Sequence, residues 1–217
     1  MSRTTVPLTL DHLDELVDCP CRGCLFWEVG PAGTRGLEAE ERAEEKVAWL
    51  SGVLREWGSC GRVVLVDGRP VGYATYAPAE LVEGARLLPT GPVSPDAVLL
   101  SALWVDPAHR GGGLARMLVQ GTARDLVRRG CGAVEAFGER RPGAHGSCVI
   151  PAEFLGRVGF RTVRPHVTTP RMRMELRTTL RWREEVEQAL EKLWGVVRPV
   201  PAVTRPSRPY GAATRGR

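Results

Sequence analysis

No stretch of these 217 residues approaches the ~18 consecutive apolar residues that a membrane-spanning helix requires. The opening MSRTTVPLTLDHLDEL also lacks the apolar core of a secretory signal, so the expected compartment is the cytoplasm and no membrane partner is expected. No glycine-rich turn is followed by Gly-Lys-Ser/Thr, which excludes a Walker phosphate loop. There is no internal repeat, and hence no solenoid or propeller. Basic residues are not interleaved with aromatics or clustered on a recognition helix, which disfavours nucleic acid as a partner. What remains is a chain of near-average apolar content, 43% hydrophobic, long enough to bury one substantial core. The net charge of +5 is uneven: Arg198, Arg205, Arg208, Arg215 and Arg217 stand in the last twenty residues without one acidic neighbour. Proline and glycine are dense there, so residues 198–217 read as a basic, solubilising tail.

The apolar patterning predicts an α/β domain. A strand over Thr5–Leu8 leads, with Thr9 as cap, into a helix over Leu10–Val17, and Cys19–Thr34 is irregular. Leu37–Trp57 has an apolar side opposite a charged one and stops at Gly58, as an amphipathic helix does. Val63–Val66 and Val71–Tyr76 flank Asp67-Gly68-Arg69-Pro70 and read as a hairpin, because Asp-Gly supplies the positive dihedrals of a tight turn. A long loop, Pro78–Asp96, follows. Later segments predict strands at Ala133–Phe137, Phe160–His166 and Met172–Leu176 and a short helix over Pro151–Val158. A last amphipathic helix over Thr178–Trp194 carries Trp182, Val186, Leu190, Leu193 and Trp194, and can serve a homodimer as readily as its own core.

The most informative segment is LLSALWVDPAHRGGGLARMLVQ, residues 99–120. Leu99, Leu100, Ala102, Leu103, Trp104 and Val105 form a near-continuous apolar run that suits a central strand. Asp106-Pro107 closes it, and Arg110-Gly111-Gly112-Gly113-Leu114-Ala115 opens a helix. The first N–H groups of a helix have no internal partner and face whatever anion arrives, and glycines let the backbone come close to it. A dinucleotide fingerprint fails here, since the glycine spacing is wrong and Glu135 falls inside its strand rather than at the end of one.

Strand, Asp-Pro, one basic residue, glycines and a small residue resemble the acetyl-CoA motif of the GCN5-related N-acetyltransferases, with Arg110, Gly113 and Ala115 at the three specified positions. The element order from Thr5 to Leu176 is similar to that family's fold. The resemblance implies a mixed, mostly antiparallel sheet with flanking helices over residues 1–177, followed by a helical extension, 178–197, and the tail. It implies acetyl-CoA as cosubstrate, with the main chain of Leu103, Trp104 and Val105 beside the pantetheine arm. The amides of Gly111, Gly112, Gly113, Leu114, Ala115 and Arg116 would lie under the pyrophosphate and Arg110 at the turn. The implied activity is direct acetyl transfer to an amine acceptor, a small molecule or a peptide. The alternative is a catalytically silent acyl-CoA sensor.

The family often carries a tyrosine, three residues before Gly-Phe, that protonates the departing thiolate. Aligned on Gly159-Phe160, that position here is Leu155. Glu135 occupies the strand position where some relatives place a base for the amine, and it also reads as a solvent-facing strand carboxylate or as an ion-pair partner. Glu139 and His145 are the alternatives on or beside the long loop 138–147. Trp27 and Glu28 offer an aromatic wall and a carboxylate to an amine, and read equally well as a packed tryptophan and a surface acid. Cys19, Cys21 and Cys24 crowd into six residues, with Cys60 beyond a helix. A second close pair is missing, so no metal is expected and the thiols are expected to be reduced.

Overall fold

The computed structural model describes residues 1–16, 19–141 and 149–176. The expected helix and tail beyond residue 177, and His145 with Cys148, lie outside those residues. The first strand, β1 (Arg3–Pro7), and the short helix α1 (Leu10–Glu15) are joined through Thr9, whose amide and hydroxyl both reach His12 Nδ1. A helical turn, α2 (Gly30–Gly33), interrupts the segment expected to be irregular. Helix α3 (Ala39–Trp57) starts where the Glu41 carboxylate accepts the Glu38 N–H at 2.8 Å and ends at Gly58, whose φ of +76° turns the chain out of the helix. Strands β2 (Gly61–Val66) and β3 (Arg69–Pro78) form the expected hairpin, with Asp67 and Gly68 both at positive φ.

The loop before the next strand contains two 3₁₀ turns, Ala79–Leu81 and Glu83–Leu87. Strand β4 (Ala97–Val105), helix α4 (Leu114–Arg128) and strand β5 (Ala133–Glu139) follow in order. A two-residue strand β6 (Ile150–Pro151), helix α5 (Ala152–Arg157), and the hairpin of β7 (Arg161–Arg164) and β8 (Arg171–Glu175) complete the described fold. The sheet runs β1-β2-β3-β4-β5-β8-β7, with β6 beside β5. Pairing is antiparallel except for β4–β5 and β5–β6. No described helix is long and apolar enough to cross a membrane.

Alternation along the central strands sends apolar side chains to both faces of the sheet. One face packs Leu8, Leu13, Leu50, Val53, Tyr73, Leu99 and Phe137 under α1, α3 and the irregular segments. The other packs Val64, Tyr76, Leu100 and Val134 against Leu114, Leu118 and Leu126 of α4 and Leu155 of α5. A polar strut crosses the second layer. Tyr76 donates its hydroxyl to Asp125 of α4 at 2.8 Å, and Arg129 Nε reaches the same carboxylate at 2.9 Å. The remaining guanidinium nitrogens of Arg129 bond the Trp57 and Gly58 carbonyls at the end of α3. One arginine thus ties α4 to the end of α3.

Candidate functional site

The parallel ladder between β4 and β5 is short. Ala97, Val98 and Leu99 pair with Ala133, Val134 and Glu135, and the ladder stops there. Beyond Leu99 strand β4 stays paired with β3 as far as Val105, so its other edge runs free of β5. Leu103 and Val105 turn their side chains to the α4 core and Trp104 to the opposite one, which leaves only main-chain groups along that open edge.

Strand β4 delivers the chain into a tightly ordered turn. Asp106 Oδ1 accepts the Ala108 N–H at 2.8 Å and closes the 3₁₀ turn Pro107–His109. Arg110 folds back, donating Nε to the Val105 carbonyl at 2.9 Å, so the side chain braces the end of β4. Gly111 and Gly113 lie at φ of +83° and +81°, a region that L side chains rarely enter. Gly113 is the N-cap of α4, and its carbonyl accepts the first helical bond, from the Met117 N–H at 3.1 Å. The N–H groups of Leu114, Ala115 and Arg116 precede that bond and have no helical acceptor. Left-handed Gly113 followed by helical Leu114 is the alternation that gathers successive N–H groups into one anion-binding hollow. A side chain added at Gly111 or Gly113 would meet no atom within 4 Å, so the hollow is open.

The opposite side of the strand separation is built from charges. Glu135, the last residue of β5 to pair with β4, has 0% exposure. Its Oε2 accepts from Arg171 at 2.8 Å and from the Ser94 N–H at 3.2 Å, and its Oε1 lies 3.3 Å from Arg173. Arg173 is also bidentate to Asp96, at 2.9 and 2.7 Å, and bonds Glu175 at 2.5 Å. The Arg173 hydrogen bonds hold the Asp96 carboxyl below its ordinary value, and donating to Asp96 and Glu175 pushes the Arg173 guanidinium above its own. The amine-facing base expected at Glu135 is therefore a sequestered carboxylate with both oxygens on guanidinium groups. Nothing local in the sequence announces this, because Arg171, Arg173 and Ser94 reach Glu135 only through strand pairing and the loop before β4.

Two irregular segments close over the same side. Trp27 stacks on Phe137 of β5 with ring centroids 6.0 Å apart. The Trp27 carbonyl accepts the Gly84 N–H at 2.9 Å, and a side chain at Gly84 would lie 1.9 Å from the Phe26 carbonyl oxygen. Glu28, expected to face an amine, is buried and paired with the ammonium of Lys46, which also donates to the Cys24 carbonyl at 2.9 Å. Cys19, Cys21 and Cys60 are buried in this layer. A hydrogen bond from Cys21 lowers the Cys19 thiol against the effect of its burial, while burial pushes Cys60 up to about 12. Among the described residues no group of three His, Cys, Asp or Glu side chains is placed to hold a metal. Leu155 is fully buried in α5. Glu139 ends β5 and is also buried.

Solved structures similar to this fold include N-acetyltransferases, some in complex with coenzyme A or acetyl-CoA. The PaiA N-acetyltransferase of Thermoplasma acidophilum, in complex with coenzyme A, superposes with a TM-score of 0.53 at 14% identity over 81% of this chain and 99% of its own. An N-acetyltransferase from Staphylococcus aureus Mu50 gives the same values. YncA of Salmonella typhimurium, with its cofactor acetyl-CoA, gives 0.54 at 18% identity over 81% of this chain and 95% of its own. At such identities the likeness is one of fold. No curated protein sequence matches the chain. The profile of the acetyltransferase (GNAT) family matches residues 25–148, more than half of the sequence, and takes in β4, the glycine turn, α4 and β5. With the mixed sheet, the parted strands and the glycine-capped helix in the order that family uses, the chain belongs to the acetyltransferase (GNAT) family.

Proposed function

We propose that this protein transfers the acetyl group of acetyl-CoA directly to an amine acceptor, a small molecule or a peptide, with both substrates bound together. The observation that carries the reading is the parting of β4 from β5 after Leu99 and the delivery of β4 into the open amide hollow at Gly113. The residues fit the cosubstrate. The open edge of β4 at Leu103, Trp104 and Val105 offers main-chain groups to the amides of the pantetheine arm. The turn from Gly111 to Arg116 offers unpaired N–H groups and a helix N-terminus to the pyrophosphate. Arg110 works by bracing Val105 at the mouth of that turn.

The amine nitrogen attacks the thioester carbonyl carbon of acetyl-CoA, so that the C–N bond forms as the C–S bond breaks, coenzyme A leaves as its thiolate, and the proton lost by the nitrogen passes to water. The thiolate produced is a weak base and can depart without a proton donor, which accommodates Leu155 at the position where relatives carry tyrosine. Glu135 is assigned as a positioning residue. A proton on its carboxylate would weaken its pairings with both Arg171 and Arg173, whereas the ionised form holds β8 against β5 at the point where the strands part. Buried Leu155 also favours a second reading, a protein that binds acyl-CoA without turning it over. Free thiol release from acetyl-CoA in the presence of a mixed amine panel separates the two: release that depends on an amine supports transfer, and tight binding without release supports the sensor. Calorimetry with acetyl-CoA and the Gly113→Glu variant tests the shared premise, since a folded variant that keeps parental affinity would remove the cosubstrate from this turn.

A further inference from the structure

The glycine turn has a partner far away in sequence. Arg3, at the start of β1, donates Nη1 to the Gly112 carbonyl at 2.7 Å. The contact is built from both sides. Ser2 and Asp67 exchange two hydrogen bonds, Ser2 N–H to Asp67 Oδ1 at 2.7 Å and Asp67 N–H to the Ser2 carbonyl at 3.0 Å, which pin the strand end that carries Arg3. At the other side, a side chain at position 112 would lie 3.3 Å from the Arg3 guanidinium, a tight contact that glycine avoids.

In a trans peptide the carbonyl and the following N–H point in opposite directions. A guanidinium on the Gly112 oxygen therefore fixes where the Gly113 N–H points, on the other side of that peptide. Gly113 is left-handed and Leu114 helical, the alternation in which the Gly113 N–H converges with those of Leu114 and Ala115. Three consecutive glycines are otherwise the loosest backbone a chain can offer. From this geometry we infer that Arg3 is a positioning residue of the cosubstrate site: it locks the Gly112–Gly113 peptide so that the Gly113 N–H is already turned into the hollow before the pyrophosphate of acetyl-CoA arrives. The inference rests on the proposed acetyl-CoA reading. Its physical content is preorganisation, a smaller ordering cost on binding, with no direct contact to the ligand required.

Two measurements on the full-length chain test it. Backbone 15N relaxation of the free protein reports the order of Gly112 and Gly113. Calorimetry compares acetyl-CoA with acetyl-dephospho-CoA, which keeps the pyrophosphate and lacks the 3′-phosphate. Arg3→Ala is expected to loosen both glycines and to weaken both thioesters by the same factor, about tenfold for one charge-assisted hydrogen bond. Arg3→Lys, which can still reach the carbonyl through one N–H, is expected to restore part of each effect. Unchanged glycine order or unchanged affinity in Arg3→Ala overturns the inference. A loss confined to acetyl-CoA overturns it in favour of a direct contact between Arg3 and the 3′-phosphate. A wild-type protein that binds neither thioester overturns the cosubstrate reading together with the lock's role in binding, and the relaxation data then show separately whether the lock itself exists.

Discussion

The two sides of the strand separation are made of different materials. On the α4 side the site is main chain: the open edge of β4, the amides from Gly111 to Arg116, and two glycines at positive φ. On the other side it is side chain: Glu135 between two arginines, Glu28 on Lys46, and Trp27 against Phe137. A main-chain site asks little of residue identity beyond glycine, so a short motif describes it. A side-chain site depends on partners brought together by pairing and packing, and no short motif does. The same difference sets where substitutions should hurt stability and where they should hurt binding.

The largest effect is expected at the buried pair of Glu28 and Lys46, whose side chains are 0% and 3% exposed. Lys46→Met strands a buried carboxylate and should destabilise the fold by about 3–5 kcal/mol. Glu28→Leu combined with Lys46→Met should cost less than that single change, because no lone charge is left behind. Urea midpoints decide the matter, and a loss below about 0.5 kcal/mol, as at ordinary surface positions, would show that the pair contributes nothing.

Gly113→Glu probes the main-chain side. It brings negative charge to the hollow and forces a side chain onto a φ of +81°, so acetyl-CoA affinity should fall on the order of 100-fold while the protein remains folded. Calorimetry beside a thermal melt separates lost binding from lost structure.

Glu135→Gln compares the two sides directly. It leaves Arg171 and Arg173 without their shared carboxylate, at 13% and 15% side-chain exposure, and should cost about 2 kcal/mol of stability. If Glu135 positions β8, the shape of the pH profile of kcat/KM around neutrality stays as in the parent. If it is the base, the profile loses a limb and the rate drops by about 10² or more.

The smallest effect concerns the strut beneath α4. Burial works to raise the Asp125 carboxyl, but hydrogen bonds from Tyr76 and Arg129, with the Arg129 charge, leave it below its ordinary value. A carboxyl lowered by folding contributes stability that is complete above the unfolded value, about 3.9, and is lost as pH falls through the lower folded value. Asp125→Asn should therefore flatten the acid limb of a stability-against-pH curve without moving its neutral plateau by more than the lost hydrogen bonds. An unchanged acid limb would assign that limb to other carboxyls, Asp96 among them.

Much of the architecture is legible along the chain because its causes are local. Asp67-Gly68 makes a tight turn wherever it is flanked by strands, Gly58 stops a helix, and an apolar run closed by Asp106-Pro107 makes a central strand. Boundaries moved by a few residues, as at α3, which begins at Ala39 because Glu38 and Glu41 form its cap. The segment over residues 19–34 holds a helical turn that its glycines and proline do not advertise.

The glycine turn before α4 is likewise a local object, since three glycines at the head of a helix create free amides whatever surrounds them. The sequence by itself therefore determined the hairpin, the central strand and the glycine-capped turn that opens α4. Only the tertiary structure decided that Glu135 is sequestered, that Glu28 faces Lys46 and that Arg3 reaches Gly112 across 109 positions of chain. Those outcomes follow from strand register and layer packing. A side chain's electrostatic role is set by what the fold carries to within a few ångströms of it, and sequence proximity does not encode that distance.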